Sequence, residues 1–104
     1  VSTAAPEAPG VAAALLGVPY PNPLPEATTA HVPLTLPVAS HVEVAVYDVL
    51  GRELDVVQDG MLQAGQHVLA WDATEPGGHR VPAGVYFVRC RVEGQALVRL
   101  LTIH

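Results

Sequence analysis

Hydrophobic and polar residues alternate along several short stretches, and this period of two constrains the fold more than any other feature of the sequence. In residues 41–47, Val42, Val44 and Val46 share one side, while the other side carries polar or small residues. Residues 31–36 and 85–92 repeat the pattern. Successive side chains of a β-strand point to opposite faces, so this alternation predicts strands that each bury one face.

Turn-forming residues separate these stretches. The 104 residues include ten prolines and nine glycines, which interrupt the chain too often for long helices. Residues 52–58 are predicted to form a shorter and more polar strand, and a loop is expected between residues 59 and 65. A tight turn at Glu93 and Gly94 is expected to join the last two strands into a hairpin. About seven short strands, spaced roughly ten residues apart, predict an all-β Greek-key sandwich.

The N-terminal residues differ in composition from the rest of the chain. Residues 1–14 are rich in alanine and proline, and we expect them to form a linker ahead of one domain over residues 15–104. The sequence shows no signal peptide and no run of about 18 apolar residues that could cross a membrane. If the protein is exported, we expect its signal to lie upstream in a longer parent protein.

Charge and cysteine content exclude several classes of function. The formal net charge is −5, and the five basic residues are all arginines scattered along the chain. Proteins bind nucleic-acid phosphates with clustered cations, so nucleic acid is not an expected partner. The single cysteine, Cys90, excludes an internal disulfide. Its place in an apolar strand predicts a buried thiol rather than a reactive one.

The sequence contains no recognisable catalytic or metal-binding pattern. The histidines are far apart and lack the spacing of metal ligands; they are His31, His41, His67, His79 and His104. Single aspartates lie near predicted turns, where we expect them to cap local backbone N–H groups; they are Asp48, Asp55, Asp59 and Asp72. Neither serine has the glycine-flanked elbow of a nucleophile. We therefore predict a domain that is not an enzyme and has no cofactor or metal.

A set of short motifs follows in order along the chain. Residues 20–23 read YPNP, residues 40–52 read SHVEVAVYDVLGR, residues 64–67 read AGQH, residues 71–72 read WD, and residues 82–87 read PAGVYF. From these motifs and the last strand, we single out as recognition or folding residues Tyr20, Pro21, Asn22, Pro23, Tyr47, Gly51, Arg52, Gly65, Trp71, Asp72, Gly84, Tyr86 and Arg99.

Taken together, these motifs resemble those of the C-terminal sorting domains of the type IX (Por) secretion system. Such domains are in turn similar to the immunoglobulin-like domain of the flagellar hook-capping protein. The resemblance extends from about residue 16 to residue 104. It implies an immunoglobulin-like antiparallel β-sandwich of about seven strands.

Several motif residues have a folding role that does not depend on the resemblance. Asn22 lies between prolines, and its side-chain amide is expected to hold its own backbone in a turn. Gly51 and Gly84 lie where the chain reverses, which predicts positive φ or close backbone approach. Trp71 is expected to be the largest part of the core. Tyr86 is expected to face inward and to bond a backbone carbonyl through its hydroxyl.

The resemblance also implies a function. The parent protein would reach the periplasm, and the outer-membrane translocation machinery would then read this domain and carry the parent to the cell surface. In that family a processing protease often removes the domain, and the parent is attached to a surface lipopolysaccharide. If this holds here, we expect cleavage within residues 1–17, because proteases need flexible backbone. The expected recognition surface is the last hairpin, residues 85–103, since a terminal strand can offer its edge to a partner.

Two other functions remain open at this stage. The domain could be a structural spacer that stacks against its neighbours without acting as a signal. It could also be a carbohydrate-binding module of a secreted hydrolase, which needs exposed aromatic rings. An exposed Trp71 beside a second ring would favour the carbohydrate-binding alternative.

Overall fold

A computed structural model describes residues 14–25, 28–75 and 77–104, which form two antiparallel sheets packed face to face. The seven strands are β1 (Leu15–Leu16), β2 (Ala30–Leu36), β3 (Ser40–Tyr47), β4 (Glu53–Leu62), β5 (Gly65–Trp71), β6 (Gly84–Val92) and β7 (Gln95–Ile103). The first sheet has the order β1-β2-β5, and the second has the order β4-β3-β6-β7. The predicted all-β sandwich is confirmed, and its connections cross between the sheets as in a Greek key.

β3 is central to the four-stranded sheet and supplies the middle of the core. It pairs with β4 on one side and with β6 on the other. Val42, Val44 and Val46 point between the sheets, and all three are completely buried. The alternation in the sequence therefore identified the buried face of this strand correctly.

The other layer of the core comes from alternate residues of β2, together with the end of β5. Val32, Leu34 and Leu36 are buried, as their spacing predicts. Trp71 ends β5 and is only 3% exposed. Its ring meets the ring of Tyr86 edge to face, with 6.5 Å between the centroids. The expected core position of the tryptophan is confirmed.

The Trp71 indole also bonds across the sandwich. Its Nε1 donates to Asp55 Oδ2 at 3.1 Å and to the carbonyl oxygen of Thr74 at 3.2 Å. Asp55 was expected to cap backbone in a turn, which is wrong: it lies within β4 and accepts from the indole. Asp59 is likewise in β4, where its carboxylate lies 3.2 Å from His41 Nε2.

β4 is longer than its sequence suggests. The prediction of a strand over residues 52–58 and then a loop is wrong, because β4 continues to Leu62 and only residues 63–64 separate it from β5. Gly60, expected in the loop, has a φ of 153° and pairs with Val42. The register shifts twice along β3 and β4, which accommodates irregular backbone within the ladder. Pairing with the long β3 strand thus outweighs the local turn preference of residues 59–60.

Residues 1–13 lie outside the described residues, so the linker over residues 1–14 stays a prediction. Ala14 is described and is buried in the core at 3% exposure. Within the described part of the chain, there is no helix with the length and apolar character needed to span a membrane.

The two hydrogen bonds of the Trp71 indole are expected to contribute measurably to stability. Trp71→Phe should lower the free energy of unfolding by about 1–3 kcal/mol, because the change removes the indole N–H and leaves Asp55 and the Thr74 carbonyl without this hydrogen-bond donor. Val68→Ala, at an exposed position of the same strand, is the control and should change stability by about 0.5 kcal/mol or less. Urea unfolding followed by circular dichroism measures both. Equal losses in the two variants would contradict this role of the indole.

Candidate functional site

The free edge of β7 is partly covered by an earlier segment of the same chain. Residues 20–25, here called the edge-covering segment, run alongside the end of β7. The backbone N–H of Leu24 donates to the Thr102 carbonyl at 2.7 Å, and the His104 N–H donates to the Leu24 carbonyl at 3.0 Å. Leu24 itself is fully buried in the core. The segment therefore behaves like a short additional strand on this edge.

Asn22 covers the next part of the edge with its side chain. Its Nδ2 donates to the Leu100 carbonyl at 3.4 Å, and its Oδ1 accepts from the Thr102 N–H at 3.2 Å. The amide thus takes the place of a neighbouring strand's peptide group. We expected Asn22 to bond its own backbone in a turn. The structure corrects this, since both hydrogen bonds that its side chain makes with described residues go to β7.

The remaining YPNP residues hold the edge-covering segment against the three-stranded sheet. Tyr20 and His31 exchange two backbone hydrogen bonds of 2.9 and 2.8 Å, and their rings stack with centroids 5.2 Å apart. The peptide bonds that precede Pro21 and Pro23 are both cis. Tyr20 is half exposed, so this motif lies on the surface at the side of the sandwich where β1 and β7 meet.

The other half of the β7 edge is open. In an antiparallel strand, alternate residues direct both backbone groups to the same side. Thr102 directs its N–H and C=O away from β6, so Ala96 and Val98 do the same. Among the described residues, no strand pairs with this side of β7 at either position. This half offers backbone donors and acceptors to a partner strand.

Arg99 joins the same edge to the first strand. Its Nε donates to the Leu16 carbonyl at 2.8 Å, which ties β7 to β1 across the side of the sandwich. Of the residues singled out from the sequence, the structure brings together near the β7 edge Tyr20, Pro21, Asn22, Pro23 and Arg99. The others lie at the turn between β3 and β4, at the two ends of β5 and at the start of β6.

The turn between β3 and β4 is organised by Asp48, an aspartate that caps backbone as predicted. Its carboxylate accepts from the N–H groups of Leu50 and Arg52 and from Arg52 Nε at 2.7 Å. The backbone N–H of Arg52 is the main reason that the pKa of Asp48 is lowered, and further hydrogen bonds from the Arg52 side chain and from Leu50 lower it too.

The same turn contains two more of the selected residues. Gly51 has a φ of 83°, which confirms its predicted positive φ. Tyr47, at the end of β3, donates to Glu53 Oε1 at 3.4 Å.

The start of β6 contains a second group of the selected residues. Tyr86 is buried, and its hydroxyl donates to the Pro82 carbonyl, as predicted. Burial raises the pKa of Tyr86, and the carboxylates of Asp48 and Glu75 raise it further. Gly84 has a φ of 154°. These contacts stabilise the fold at one end of the sandwich.

Gly65 and Asp72 lie at the two ends of β5. Gly65 begins the strand with a φ of 124°, a conformation that side chains rarely adopt. Asp72 follows the strand, and its Oδ1 accepts from the Thr74 N–H at 3.3 Å. Both residues therefore have structural roles in the chain reversals around β5.

Two important residues were missed at the sequence level. Leu24 follows the YPNP motif and was not singled out from the sequence, yet it pairs with β7 and fills the core. Asp55 looked like a turn residue, yet it is an acceptor for the indole. Neither role has a local signal in the sequence, because both depend on elements that are distant along the chain.

The described residues contain no cluster of potential metal ligands. Within residues 14–25, 28–75 and 77–104, no three His, Cys, Asp or Glu side chains come together as metal ligands could. Cys90 is completely buried, as predicted, and burial raises the pKa of its thiol to about 11. A thiol in this environment is mostly protonated at neutral pH and is a poor nucleophile.

Comparisons with known proteins agree with this architecture. A family model described as the FlgD Ig-like domain matches residues 26–95. Latent dimeric PorU from Porphyromonas gingivalis is similar over 95% of this chain, with a TM-score of 0.70 and 20% identity. FlgD from P. aeruginosa is similar over 70% of the chain, with a TM-score of 0.58 and 28% identity. The predicted immunoglobulin-like fold is therefore confirmed.

PorZ, a surface component of the type-IX secretion system of Porphyromonas gingivalis, is similar over 88% of this chain, with a TM-score of 0.57 and 21% identity. The chain spans 10% of the PorU chain, 60% of the FlgD chain and 11% of the PorZ chain. No curated protein sequence matches it significantly.

Removing the Asn22 side chain is expected to uncover the Thr102 amide. Asn22→Ala should raise the hydrogen-exchange rate of the Thr102 N–H about fivefold, because the lost bond contributes about 1 kcal/mol. Asn22→Asp keeps an acceptor oxygen and is the matched control, and the Leu101 N–H, which points toward β6, is the internal reference. Amide exchange followed by NMR measures all three. Unchanged exchange at Thr102 in Asn22→Ala would show that the side chain does not protect this edge.

Proposed function

The chain belongs to the FlgD Ig-like domain family, and we propose that it is a non-catalytic C-terminal sorting and cell-surface attachment module, which directs a secreted parent protein through the type IX secretion system. The observation that carries the proposal is its similarity to PorU and PorZ over nearly all of its length. At 20% and 21% identity, this similarity concerns the fold. The order of the YPNP, WD and PAGVYF motifs along the chain provides separate support for a sorting role.

The proposed recognition surface is the open half of the β7 edge. A partner strand added there would bond the backbone of Ala96 and Val98, while the edge-covering segment occupies the positions from Leu100 onward. Strand addition of this kind takes its affinity from main-chain hydrogen bonds. The partner is the outer-membrane translocation machinery, and the parent protein lies on the extracellular side of that membrane after export.

The proposal also covers processing. A protease that belongs to the secretion machinery would cut the chain within residues 1–17, ahead of or at the beginning of the folded domain. The parent would then be attached to a surface lipopolysaccharide. Gly17 donates its backbone N–H to the Pro33 carbonyl at 2.9 Å, so a cut on the N-terminal side of β1 would leave the sandwich intact.

A structural spacer is the second candidate. The similarity to FlgD supports it, because the identity there, 28%, is higher than with PorU or PorZ. The carbohydrate-binding alternative loses its main support, since Trp71 and the neighbouring Tyr86 ring are both buried and cannot stack on a sugar.

The sorting role is tested by fusing the chain to the C-terminus of a periplasmic reporter in a bacterium that has the type IX system. We expect the reporter to appear on the cell surface only when the domain is fused and the secretion system is intact. Protease accessibility on whole cells measures surface display. The Ig-like part of P. aeruginosa FlgD, fused in the same way, is the matched control. Equal display with both domains would contradict a specific signal and favour the spacer.

A proline in the open edge tests the proposed recognition surface. The N–H of Val98 points away from β6, so Val98→Pro removes an outward donor and leaves the ladder with β6 in place. We expect surface display of the fused reporter to fall about tenfold, while Val98→Thr, which keeps the N–H, retains it. Thermal unfolding of both purified variants controls for stability. Normal display of a folded Val98→Pro variant would mean that this edge is not read.

A further inference from the structure

Arg89 differs from the other arginines of the chain in having no partner among the residues that the structure describes. Among the described residues, the other four side chains each bond or pair with a group of the protein, whereas Arg89 has neither a hydrogen bond nor an ion pair. It is nevertheless half-buried and lies in the middle of β6. A partly desolvated guanidinium with five free donors is a site that an anionic group can occupy.

The surroundings of Arg89 are apolar. On the outer face of the four-stranded sheet, Arg89 lies between Ala45 of β3 and Val98 of β7, which pair with it directly. Ala45 is only 3% exposed although it faces outward, so neighbouring side chains cover it. Val98 is 53% exposed. Both residues that pair with Arg89 across the sheet are therefore apolar.

Arg89 also forms the boundary of a groove on this face. The groove has a volume of about 470 Å³, and it is lined mainly by apolar side chains, among them Tyr47, Val49, Phe87 and Val98. A second, smaller recess of about 330 Å³ lies on the other side of Arg89 and contains Arg91. Arg91 is 4.0 Å from Glu43, so its charge is partly balanced within the protein.

The charges of the domain indicate which anion fits. The formal net charge of −5 repels polyanions, and Arg89 has no lysine beside it to bind successive phosphates. Asp48 lines the same groove, but Arg52 already neutralises it at 2.7 Å. A ligand with one carboxylate and apolar neighbours would satisfy Arg89 and cover the groove. A polyphosphate or sulfated polysaccharide would gain one contact and oppose the net charge.

We propose that this outer face is a docking surface for an extended polypeptide segment that carries one Asp or Glu between apolar side chains. The carboxylate accepts two parallel hydrogen bonds from the Arg89 guanidinium, the geometry in which arginine binds carboxylates most strongly. The apolar side chains cover the groove lined by Tyr47, Phe87 and Val98. This inference concerns the face of the sheet and does not depend on the sorting role or on the β7 edge.

The test selects short random peptides displayed on phage against the purified 104-residue chain. The selected peptides are expected to share an Asp or Glu flanked by apolar residues. Synthetic forms of these peptides are then measured by fluorescence anisotropy. They should bind the Arg89→Gln variant at least about tenfold more weakly than the unchanged chain, because a charge-assisted pair is lost. Arg89→Lys keeps the charge but loses the parallel geometry, so it should bind with intermediate affinity.

Arg80→Gln is the charge-matched control, because it removes the same charge from a side chain outside the groove, where Arg80 bonds the carbonyls of Asp72 and Pro25. It should bind the peptides as tightly as the unchanged chain does. The near-ultraviolet circular dichroism of Trp71 verifies that each variant is folded. If Arg80→Gln and Arg89→Gln weakened binding equally, the effect would be one of net charge alone, and the proposal would be overturned.

Other occupants would also overturn it. Recovery of no peptide, or of peptides without acidic residues, excludes the docking mode. Binding of fluorescent dextran sulfate that Arg89→Gln abolishes, in the absence of peptide binding, would assign the face to a polyanion. Dimerisation in sedimentation equilibrium that Arg89→Gln abolishes, again without peptide binding, would assign it to a second copy of the chain.

Discussion

Each strand inside a sheet bonds a neighbour on both sides, whereas β7 has a full partner, β6, on only one. An unpaired edge invites association with other chains, and proteins usually cover or shorten such edges. Here the edge-covering segment protects the end of β7 through the amide of Asn22 and the backbone of Leu24. The YPNP motif and the burial of Leu24 both serve this protection, which does not extend to Ala96 and Val98.

The two sheets also differ in charge. The strands β1, β2 and β5 contain no Asp, Glu, Lys or Arg, whereas the four-stranded sheet carries all the charged strand residues. Arg91 and Glu43 form an ion pair, and Asp59 lies 3.2 Å from His41. Asp55 and Arg99 bond uncharged groups of the domain. Arg89 is the exception among the described arginines. The β6–β7 hairpin therefore combines an open backbone edge with an unbalanced cation on its outer face.

Local patterns predicted the strands and their buried faces well, and they predicted long-range contacts poorly. Period-two alternation located the core valines of β3, and glycine preference located the turn at Gly51. The same reasoning ended β4 too early at residues 59–60, because pairing with β3 extends the ladder through Gly60. Asp55 was interpreted as a turn residue, since nothing near it in the sequence indicates that the Trp71 indole lies across the sandwich.

The sequence by itself determined which side of β2, β3 and β6 is apolar, that the chain turns at Gly51 and at Glu93–Gly94, and that it forms an all-β sandwich. These properties depend on neighbours a few residues apart. Only the tertiary structure decided which edge stays open and which arginine lacks a partner. Asn22 meets Leu100 and Thr102 about 80 positions further along the chain. Such partners are set by the packing of whole sheets, and no local pattern contains that information.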